Sequence, residues 1–194
     1  MTPLSARTYV ALVHHPVMDK NSRVVATAVT NLDIHDIARA TRTFGLAGYF
    51  LVTPIAAQRD LISRIVGHWT HGEGLRWNDK RSSALGTVRV ADSLAEARKS
   101  ISEHEGRPPL VVATGARGRP GVVGFRDLVT KAENDRDAGP MLLVFGTGWG
   151  LADEVFSEAD DVLVPIRGPG NEYNHLSVRS AVAIVLDRLF GNRD

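Results

Sequence analysis

The sequence contains no cysteine, and only 6% of its residues are aromatic. Without cysteine the protein has no disulfides, no cysteine-ligated zinc and no thiol nucleophile, a pattern that is compatible with a reducing compartment. No apolar run is long enough to span a bilayer, and residues 1–7 lack the apolar stretch of a secretory signal. These absences predict a cytoplasmic protein that has no membrane partner.

The chain also has almost no net charge, because 23 lysines and arginines oppose 22 aspartates and glutamates. This balance neither indicates nor excludes a polyanionic partner, since binding to nucleic acid depends on clustered rather than total charge. Hydrophobic residues make up 43% of the 194 positions, which is typical of a globular domain with a core. We therefore expect a single domain over residues 1–194.

Short apolar segments alternate with segments of helical periodicity along the chain. The predicted strands cover residues 9–14, 49–52, 87–90, 110–113, 141–145 and 161–164, and the predicted helices cover 33 or 36 to 44, 55–69, 93–104, 125–133 and 176–190. Leu61, Ile62, Ile65 and Val66 form the apolar stripe of the second helix, and residues 71–83 are predicted as a long loop. The alternation predicts an α/β fold with a mostly parallel sheet covered by helices on both faces.

Three glycine-bearing loops follow the predicted strands that end at Ala113, Phe145 and Val164. Ligands of parallel sheets bind beyond the carboxyl ends of the strands, and glycine allows the backbone to approach a ligand closely. The loop over residues 146–150 is by itself equally well explained as a tight turn, and its Gly-x-Gly-x-Gly spacing matches neither a dinucleotide nor a phosphate-loop motif. The turn over residues 168–170 is also explained as a simple chain reversal. Together at one edge, the loops have the composition to wrap a nucleoside-sized ligand.

Several polar residues near these loops have both a structural and a functional interpretation. Asp33 or Asp36 is expected to cap the first helix, although both also suit acid–base chemistry. Glu172 and His175 precede the last helix, where polar groups either cap or orient an acceptor, and His14 is interpreted as a satisfied strand-end histidine. The chain has neither the paired histidines of a zinc helix nor a Gly-x-Ser-x-Gly motif, so neither a metal centre nor that class of hydrolase is predicted.

Three segments, in order, resemble the SPOUT superfamily of RNA methyltransferases, the α/β-knot enzymes. Asn31-Leu-Asp-Ile-His-Asp-Ile-Ala-Arg-Ala-Thr-Arg-Thr-Phe-Gly45 is similar to the opening "N-x-G-x-x-x-R-T-x-x-x-F-G" helix, with Arg39 on its arginine. Leu142-Leu-Val-Phe-Gly-Thr-Gly-Trp-Gly-Leu151 resembles "L-x-x-G-x-E-x-x-G-L". Val162-Leu-Val-Pro-Ile-Arg-Gly168 and His175-Leu-Ser-Val-Arg-Ser-Ala181 resemble "I-P-M-x-G … S-L-N-V-S-x-A".

The resemblance covers nearly the whole chain, and some segments resemble particular branches of the superfamily. Thr114-Gly-Ala-Arg117 resembles the "T-S-A-R" loop of members that methylate tRNA at the 2′-oxygen, and residues 174–181 with 35–39 look like a bacterial branch related to the tRNA guanine-N1 methyltransferases. Two positions depart from the family pattern, because Gly148 replaces its glutamate and Ser177 replaces its asparagine. Side-chain roles at these two positions do not transfer.

The resemblance implies a C-terminal trefoil knot that binds S-adenosylmethionine, a rare exception to ordinary chain connections. It also implies a homodimer in which Arg39 of one subunit approaches the cofactor of the other, through an interface that uses the same patch on both chains. The implied cofactor-binding residues are Thr114, Gly115, Phe145, Gly146, Thr147, Gly148, Gly150, Val164, Pro165, Ile166, Gly168 and Leu176.

The expected partner is RNA, either tRNA or rRNA, with Arg39 positioning a phosphate or the acceptor by bidentate hydrogen bonds. Arg23, Arg42, Arg117 and Arg119 are the further expected RNA contacts. If a guanine N1 is methylated, the proton acceptor is Asp33, Glu172 or His175, and the sequence does not choose among them. Two alternatives are a catalytically silent RNA-binding dimer of this fold and an adenine-nucleotide enzyme with an ordinary doubly wound fold.

Overall fold

The computed structural model describes residues 2–134, 139–170 and 173–192. After a 3-10 turn at Leu4–Arg7, strands and helices alternate along the chain. The strands are β1 (Thr8–Val13), β2 (Val17–Met18), β3 (Val24–Val25), β4 (Gly48–Val52), β5 (Val88–Ala91), β6 (Leu110–Ala113), β7 (Met141–Gly146) and β8 (Asp161–Val162). The helices are α1 (Asn31–Thr43), α2 (Ala56–Thr70), α3 (Gly74–Trp77), α4 (Asp79–Leu85), α5 (Leu94–Glu105), α6 (Phe125–Asn134), α7 (Asp153–Ser157) and α8 (Val178–Phe190).

Six strands form one sheet in the order β5-β4-β1-β7-β6-β8, and every pairing in it is parallel. All residues of β1 are buried, and its side chains alternate between two apolar clusters, with Val10 and Leu12 in one and Tyr9 and Ala11 in the other. Helices α1, α2, α4, α6 and α8 contribute to the first cluster, and α5 and α7 contribute to the second. The predicted sheet with helices on both faces is confirmed.

Helix α1 begins earlier than its apolar periodicity indicates. Thr30 is the N-cap, with its Oγ1 accepting from the backbone N–H of Asp33 at 3.2 Å and donating to Asp33 Oδ2 at 2.6 Å. The prediction that Asp33 or Asp36 caps the helix was therefore wrong, because both lie within it. Gly45, at φ +68°, follows the end of the helix and takes the left-handed conformation expected of a C-terminal glycine.

The predicted loop over residues 71–83 was also wrong, because helices α3 and α4 occupy most of it. Asn78 caps α4 by accepting from the backbone N–H of Arg81 at 2.9 Å. Ala84 and Leu85 at the end of α4 are buried in the first cluster. Glycine and charged residues made this segment resemble a loop, and burial against α1 and α2 stabilises it as helix.

The sequence pattern did not predict the very short elements. The strands β2 and β3 form an antiparallel hairpin, and α7 has five residues, which is too short for periodicity to be visible. Strand β8 ends at Val162 rather than Val164, because the N–H of Val164 donates to the carbonyl of Val123 at 2.9 Å instead of extending the ladder with β6. Within the described ranges, no helix is long and apolar enough to cross a membrane.

We expect Ile62→Ala to lower the free energy of unfolding by about 2–5 kcal/mol, because Ile62 is fully buried and truncation leaves a cavity. The matched control is Leu61→Ala on the same helix, since Leu61 is 47% exposed although it was predicted in the apolar stripe. Its effect should stay within about 0.5 kcal/mol. Urea unfolding of both variants tests this, and equal losses would contradict the assigned orientation of α2.

Candidate functional site

The three glycine-bearing loops meet at the carboxyl edge of the sheet around a cavity of about 1330 Å³. They follow β6, β7 and β8, which are neighbours in the sheet, so their carboxyl ends lie side by side. Ligand pockets in proteins measure about 300–1,000 Å³, so the cavity has room for a nucleoside-sized ligand and for part of a second molecule. The fold thus produces the cluster of loops that the sequence predicted.

The predicted cofactor-binding residues are nearly all part of this cavity. Pro165 is buried and does not line it. The others line it: Thr114, Gly115, Phe145, Gly146, Thr147, Gly148, Gly150, Val164, Ile166, Gly168 and Leu176. The sequence prediction missed several further lining residues, among them Met18 and Thr27 near the hairpin, Phe156 on α7, Arg167, and Val178, Ala181 and Val185 on α8.

The loop after β7 is held against the β2 hairpin by backbone hydrogen bonds. The N–H of Trp149 donates to the carbonyl of Met18 at 3.0 Å, and the N–H of Met18 donates to the carbonyl of Gly150 at 2.9 Å. Gly148 has φ +60°, and a Cβ at this position would lie 3.0 Å from the Met18 carbonyl oxygen. The positive φ and this tight contact favour glycine here over the glutamate of the family pattern.

A hydrogen-bonded group of two threonines and a histidine lies behind the same loop. Thr147 Oγ1 donates to the carbonyl of Val13 at 3.1 Å and contacts Thr27 Oγ1 at 2.5 Å. His14 Nδ1 is 3.1 Å from Thr27 Oγ1, but His14 Nε2 is buried without a hydrogen-bond partner among the described residues. The interpretation of His14 as a satisfied histidine was thus correct for only one of its two ring nitrogens.

Burial gives His14 an unusual titration behaviour. The side chain is fully buried, and desolvation lowers its pKa from the ordinary 6.5 to about 4, although the charge of Asp33 opposes the shift. The imidazole is therefore neutral near pH 7 and holds Thr27 without adding charge beside the cavity.

Asp33 brings a buried carboxylate to the cavity wall. It is 6% exposed, and its Oδ1 accepts from Arg179 Nη1 at 3.1 Å while its Oδ2 accepts from Thr30. Arg179 also contacts Asp36, with 3.4 Å between Nε and Oδ2. Because Asp33 is held by two donors and still lines the cavity, it is placed to accept a hydrogen bond or a proton from a ligand.

The rim of the cavity carries exposed aromatic rings. His175 lies 6.4 Å from the Trp149 ring and 5.3 Å from the Tyr173 ring, measured between centroids. Trp149 is 56% exposed and Tyr173 is 74% exposed, which leaves ring surface available for stacking. The side chain of Asn174, next to His175 in the chain, donates to the carbonyl of Ala116 in the loop after β6 at 2.8 Å. Glu172, the remaining candidate in this segment, lies outside the described residues.

The predicted RNA-contacting arginines divide between two locations. Arg117 and Arg119 line the cavity, and Arg119 pairs with Asp153 at 2.5 Å and stacks on the Phe156 ring. The other two do not line it: Arg23 pairs with Asp19, and Arg42 Nε donates to Ser83 Oγ at 2.9 Å. Arg39 lines a second depression between α1, α2 and α4. Within one chain the structure therefore does not bring Arg39 to the glycine loops.

A family model described as SAM-dependent RNA methyltransferase matches residues 7–191, where SAM is S-adenosylmethionine. The chain therefore belongs to this family, and its cofactor class is S-adenosylmethionine. This membership bears out the resemblance seen in the sequence and argues against an adenine-nucleotide enzyme with an ordinary doubly wound fold.

Two curated relatives align over almost the whole chain. A protein named tRNA (guanine-N(1)-)-methyltransferase from Oleidesulfovibrio alaskensis is 46% identical over 184 residues, which are 95% of this chain and 42% of that protein. A protein from Aquifex aeolicus named "Uncharacterized protein" is 42% identical over 188 residues, 96% of this chain and 90% of that protein. The chain thus spans less than half of the first relative, whose printed activity belongs to a longer protein.

Solved structures agree with the fold. A probable methyltransferase from Bordetella pertussis has a TM-score of 0.65 at 20% identity and covers 97% of both chains. The SpoU methyltransferase AviRb from Streptomyces viridochromogenes, solved with its cofactor AdoMet, has a TM-score of 0.54 at 16% identity, covering 96% of this chain and 57% of that one. This chain therefore shares its fold with these two proteins.

The cavity of this chain fits the cofactor. A Cβ added to Gly150, Gly168 or Gly170, which all line the cavity, would meet no heavy atom of the described residues within 4 Å. The backbone N–H groups of Ile166 and Leu176 have no acceptor among the described residues. Open space beside glycines and free backbone donors suit an adenosine whose contacts are made with the main chain.

We expect Gly148→Ala to weaken binding of S-adenosylhomocysteine, the product of the cofactor, by about tenfold or more, because the new methyl group pushes the loop away from Met18. Gly45→Ala is the matched control. It imposes the same left-handed strain, about 1–2 kcal/mol, at φ +68° but meets no atom within 4 Å. Titration calorimetry measures both, and equal dissociation constants for the two variants would contradict the assigned role of the loop.

The His14 pKa predicts a pH-dependent stability. Because the folded pKa lies near 4 and the ordinary value is 6.5, the unfolded chain binds a proton at His14 between these pH values and the folded chain does not. Stability is therefore present above pH 6.5 and is lost as the pH falls toward 4, by about 3 kcal/mol.

The measurement is the free energy of unfolding in urea between pH 7.5 and 4, for the parent chain and for His14→Gln. The free energy of unfolding of the parent minus that of the variant should fall by about 3 kcal/mol from about pH 7.5 to about pH 4, because glutamine does not titrate. His104→Gln, at an exposed histidine on α5, controls for loss of a histidine as such. A parent-to-variant difference that stays constant with pH would show that burial of His14 does not shift its titration.

Proposed function

We propose that this chain transfers the methyl group of S-adenosylmethionine to RNA, either tRNA or rRNA, and that it acts as a cytoplasmic homodimer. The observation that carries the proposal is the single cavity in which glycine loops, a buried carboxylate and an arginine- and aromatic-bearing rim meet. The loops suit the methyl donor, and the rim suits a nucleotide. Family membership supports RNA as the acceptor.

The three glycine loops would hold the cofactor, largely through backbone groups and the apolar side chains of Phe145, Ile166 and Leu176. S-adenosylmethionine supplies a methyl group that its sulfonium already activates. The protein therefore needs to align the acceptor and to receive its proton. Asp33 is the candidate for the second task, because it lines the cavity and its two carboxylate oxygens are held in place by Thr30 and Arg179. His175 at the rim is the alternative.

The rim favours an unstacked nucleotide as the acceptor. Sequence-specific recognition of RNA targets loops and ends whose bases stack on aromatic side chains, and the exposed rings of Trp149 and Tyr173 provide such surfaces. Arg117 and Arg167 line the same cavity and can pair with phosphates. Methylation of guanine N1 in tRNA, the printed activity of the longer relative, is compatible with this arrangement.

We further propose that the catalytic site is completed across a two-fold interface. Arg39 is exposed and lies outside the cofactor cavity of its own chain, so it needs a partner chain to reach a bound methyl donor. The proposed trefoil knot is supported by the path of the C-terminal segment, which contacts the first loop through Asn174 before α8 packs on α1.

The replacement of two family residues does not favour a catalytically silent dimer. Ser177 caps α8 by accepting from the N–H of Ser180 at 3.3 Å, and Gly148 permits the close contact with Met18. Both substitutions therefore have structural roles at the edge of an intact cavity.

The test is methyl transfer from radiolabelled S-adenosylmethionine to unfractionated tRNA and rRNA. We expect Arg39→Ala to lower turnover by about 100-fold with little change in the affinity for S-adenosylhomocysteine, whereas Lys99→Ala on α5, an exposed lysine, leaves turnover unchanged. Failure of the parent chain to methylate either RNA while it binds the cofactor would overturn the proposal.

Co-expression of Arg39→Ala with Gly148→Ala tests the shared site. The assay uses a concentration of S-adenosylmethionine below the dissociation constant of the Gly148→Ala variant, so that each homodimer is impaired at both sites. A heterodimer has one complete site, so co-expression should give about a quarter of the parent activity. If the mixture is no more active than the two separate variants, then Arg39 does not act on the cofactor of a partner chain.

A further inference from the structure

The depression between α1, α2 and α4 is a second cationic site, separate from the cofactor cavity. It measures about 510 Å³ and shares no lining residue with that cavity. Three helices contribute one arginine each: Arg39 on α1, Arg64 on α2 and Arg81 on α4. Three positive side chains that converge from separate elements on one depression indicate a negatively charged ligand.

In the part of the chain that the structure describes, no ion pair neutralises the charge of these arginines. Among the described residues, none of the three guanidinium groups has a carboxylate oxygen within 4.0 Å. Asp36 is the one acidic residue of the lining, and it pairs with Arg179 instead. The depression thus keeps an excess of positive charge that an anionic ligand can pair with.

The floor of the depression holds one guanidinium in place. Arg81 lies over the Trp69 ring at 4.5 Å from its centroid, and the edges of that ring are packed by His35 and His68, at 6.0 and 5.2 Å between centroids. Arg81 is half-buried, and Arg64 is exposed. A stacked guanidinium keeps the N–H groups at its edge available, and these match the geometry of phosphate oxygens.

The surroundings show that the positive charges act together at this position. Burial lowers the pKa of His35, and the neighbouring charges of Arg81 and Arg39 lower it further against the opposing charge of Asp36. Exposed Leu32 and half-buried Ile65 complete the lining, so apolar surface for a sugar or base lies next to the donors.

We propose that Arg64 and Arg81 of this depression bind phosphate groups of the RNA backbone at a distance from the methylated nucleotide. The inference rests on the proposed function, because the ligand is the RNA acceptor. Arg39 lines the same depression. In the proposed dimer it also reaches the cofactor of the partner chain. The backbone of one RNA molecule therefore passes from Arg64 and Arg81 to the methylation site.

The test uses unfractionated bacterial tRNA as the probe and the double variant Arg64→Gln with Arg81→Gln. We expect its affinity for tRNA to fall by about tenfold or more, since charge-assisted hydrogen bonds are lost. The slope of log affinity against log salt should decrease by about 1.5 for two lost phosphate contacts. Affinity for S-adenosylhomocysteine should not change, because no residue of the depression lines the cofactor cavity.

Three further proteins make the result specific. Arg98→Gln, on α5 and so on the other face of the sheet, removes one positive charge and should keep tRNA affinity within about twofold. Arg64→Gln alone leaves the packing of Arg81 on Trp69 intact and should show a decrease in slope of about 0.7–0.9. The double variant Arg64→Lys with Arg81→Lys keeps both positive charges. It should have the salt slope of the parent chain but only part of its affinity for tRNA, because lysine lacks the planar fork of arginine.

The outcomes separate this inference from the proposed function. If the parent binds and methylates RNA and the glutamine variant does so with the same affinity and salt slope, the phosphate site is wrong and the proposed function stands. If the variant loses tRNA only because it becomes a monomer in sedimentation, the arginines serve the dimer and the phosphate site is overturned. If the parent binds S-adenosylhomocysteine but no RNA, the proposed function fails, and the phosphate site fails with it.

Discussion

The pairing of β7 with β1 is the interaction on which the rest of the structure depends. The two strands match residue by residue from Thr8 opposite Met141 to Val13 opposite Gly146, although they are far apart in the sequence. This register ends both strands at the same edge of the sheet. It thereby places Thr147 against the carbonyl of Val13 and next to the His14–Thr27 pair. The cofactor loop is shaped by this contact between distant parts of the chain.

The β2 hairpin has a second role in shaping that loop. Its Met18 exchanges two backbone hydrogen bonds with Trp149 and Gly150, and a Cβ at Gly148 would lie only 3.0 Å from the Met18 carbonyl oxygen. The family motif places a glutamate here, so in this chain backbone pairing occupies the space of that side chain. A carboxylate enters the cavity from α1 instead, through Asp33, which is held by Thr30 and Arg179.

The long elements and the position of the ligand edge could be predicted from the sequence. Strands such as β1 and β7 are continuous apolar runs because both faces are covered, and α1 and α8 have clear periodicity, so these signals are local. The short helices α3, α4 and α7 and the two-residue strands were not predictable, because tertiary packing rather than local pattern stabilises them. The same limit applied to the cap of α1, where Thr30 rather than an aspartate is the N-cap.

Some features of the candidate site could also be predicted from the sequence, and others could not. The sequence by itself determined which loops bear glycine. Through its ordered motifs it also determined the family of the chain, because such motifs are properties of neighbouring residues. Only the tertiary structure decided that Asp33 is buried at the cavity wall and that Arg39 lies in a separate depression with Arg64 and Arg81. It also decided that one nitrogen of His14 has no partner among the described residues. Burial, pairing and charge clustering depend on residues brought together from distant positions, and no local pattern contains that information.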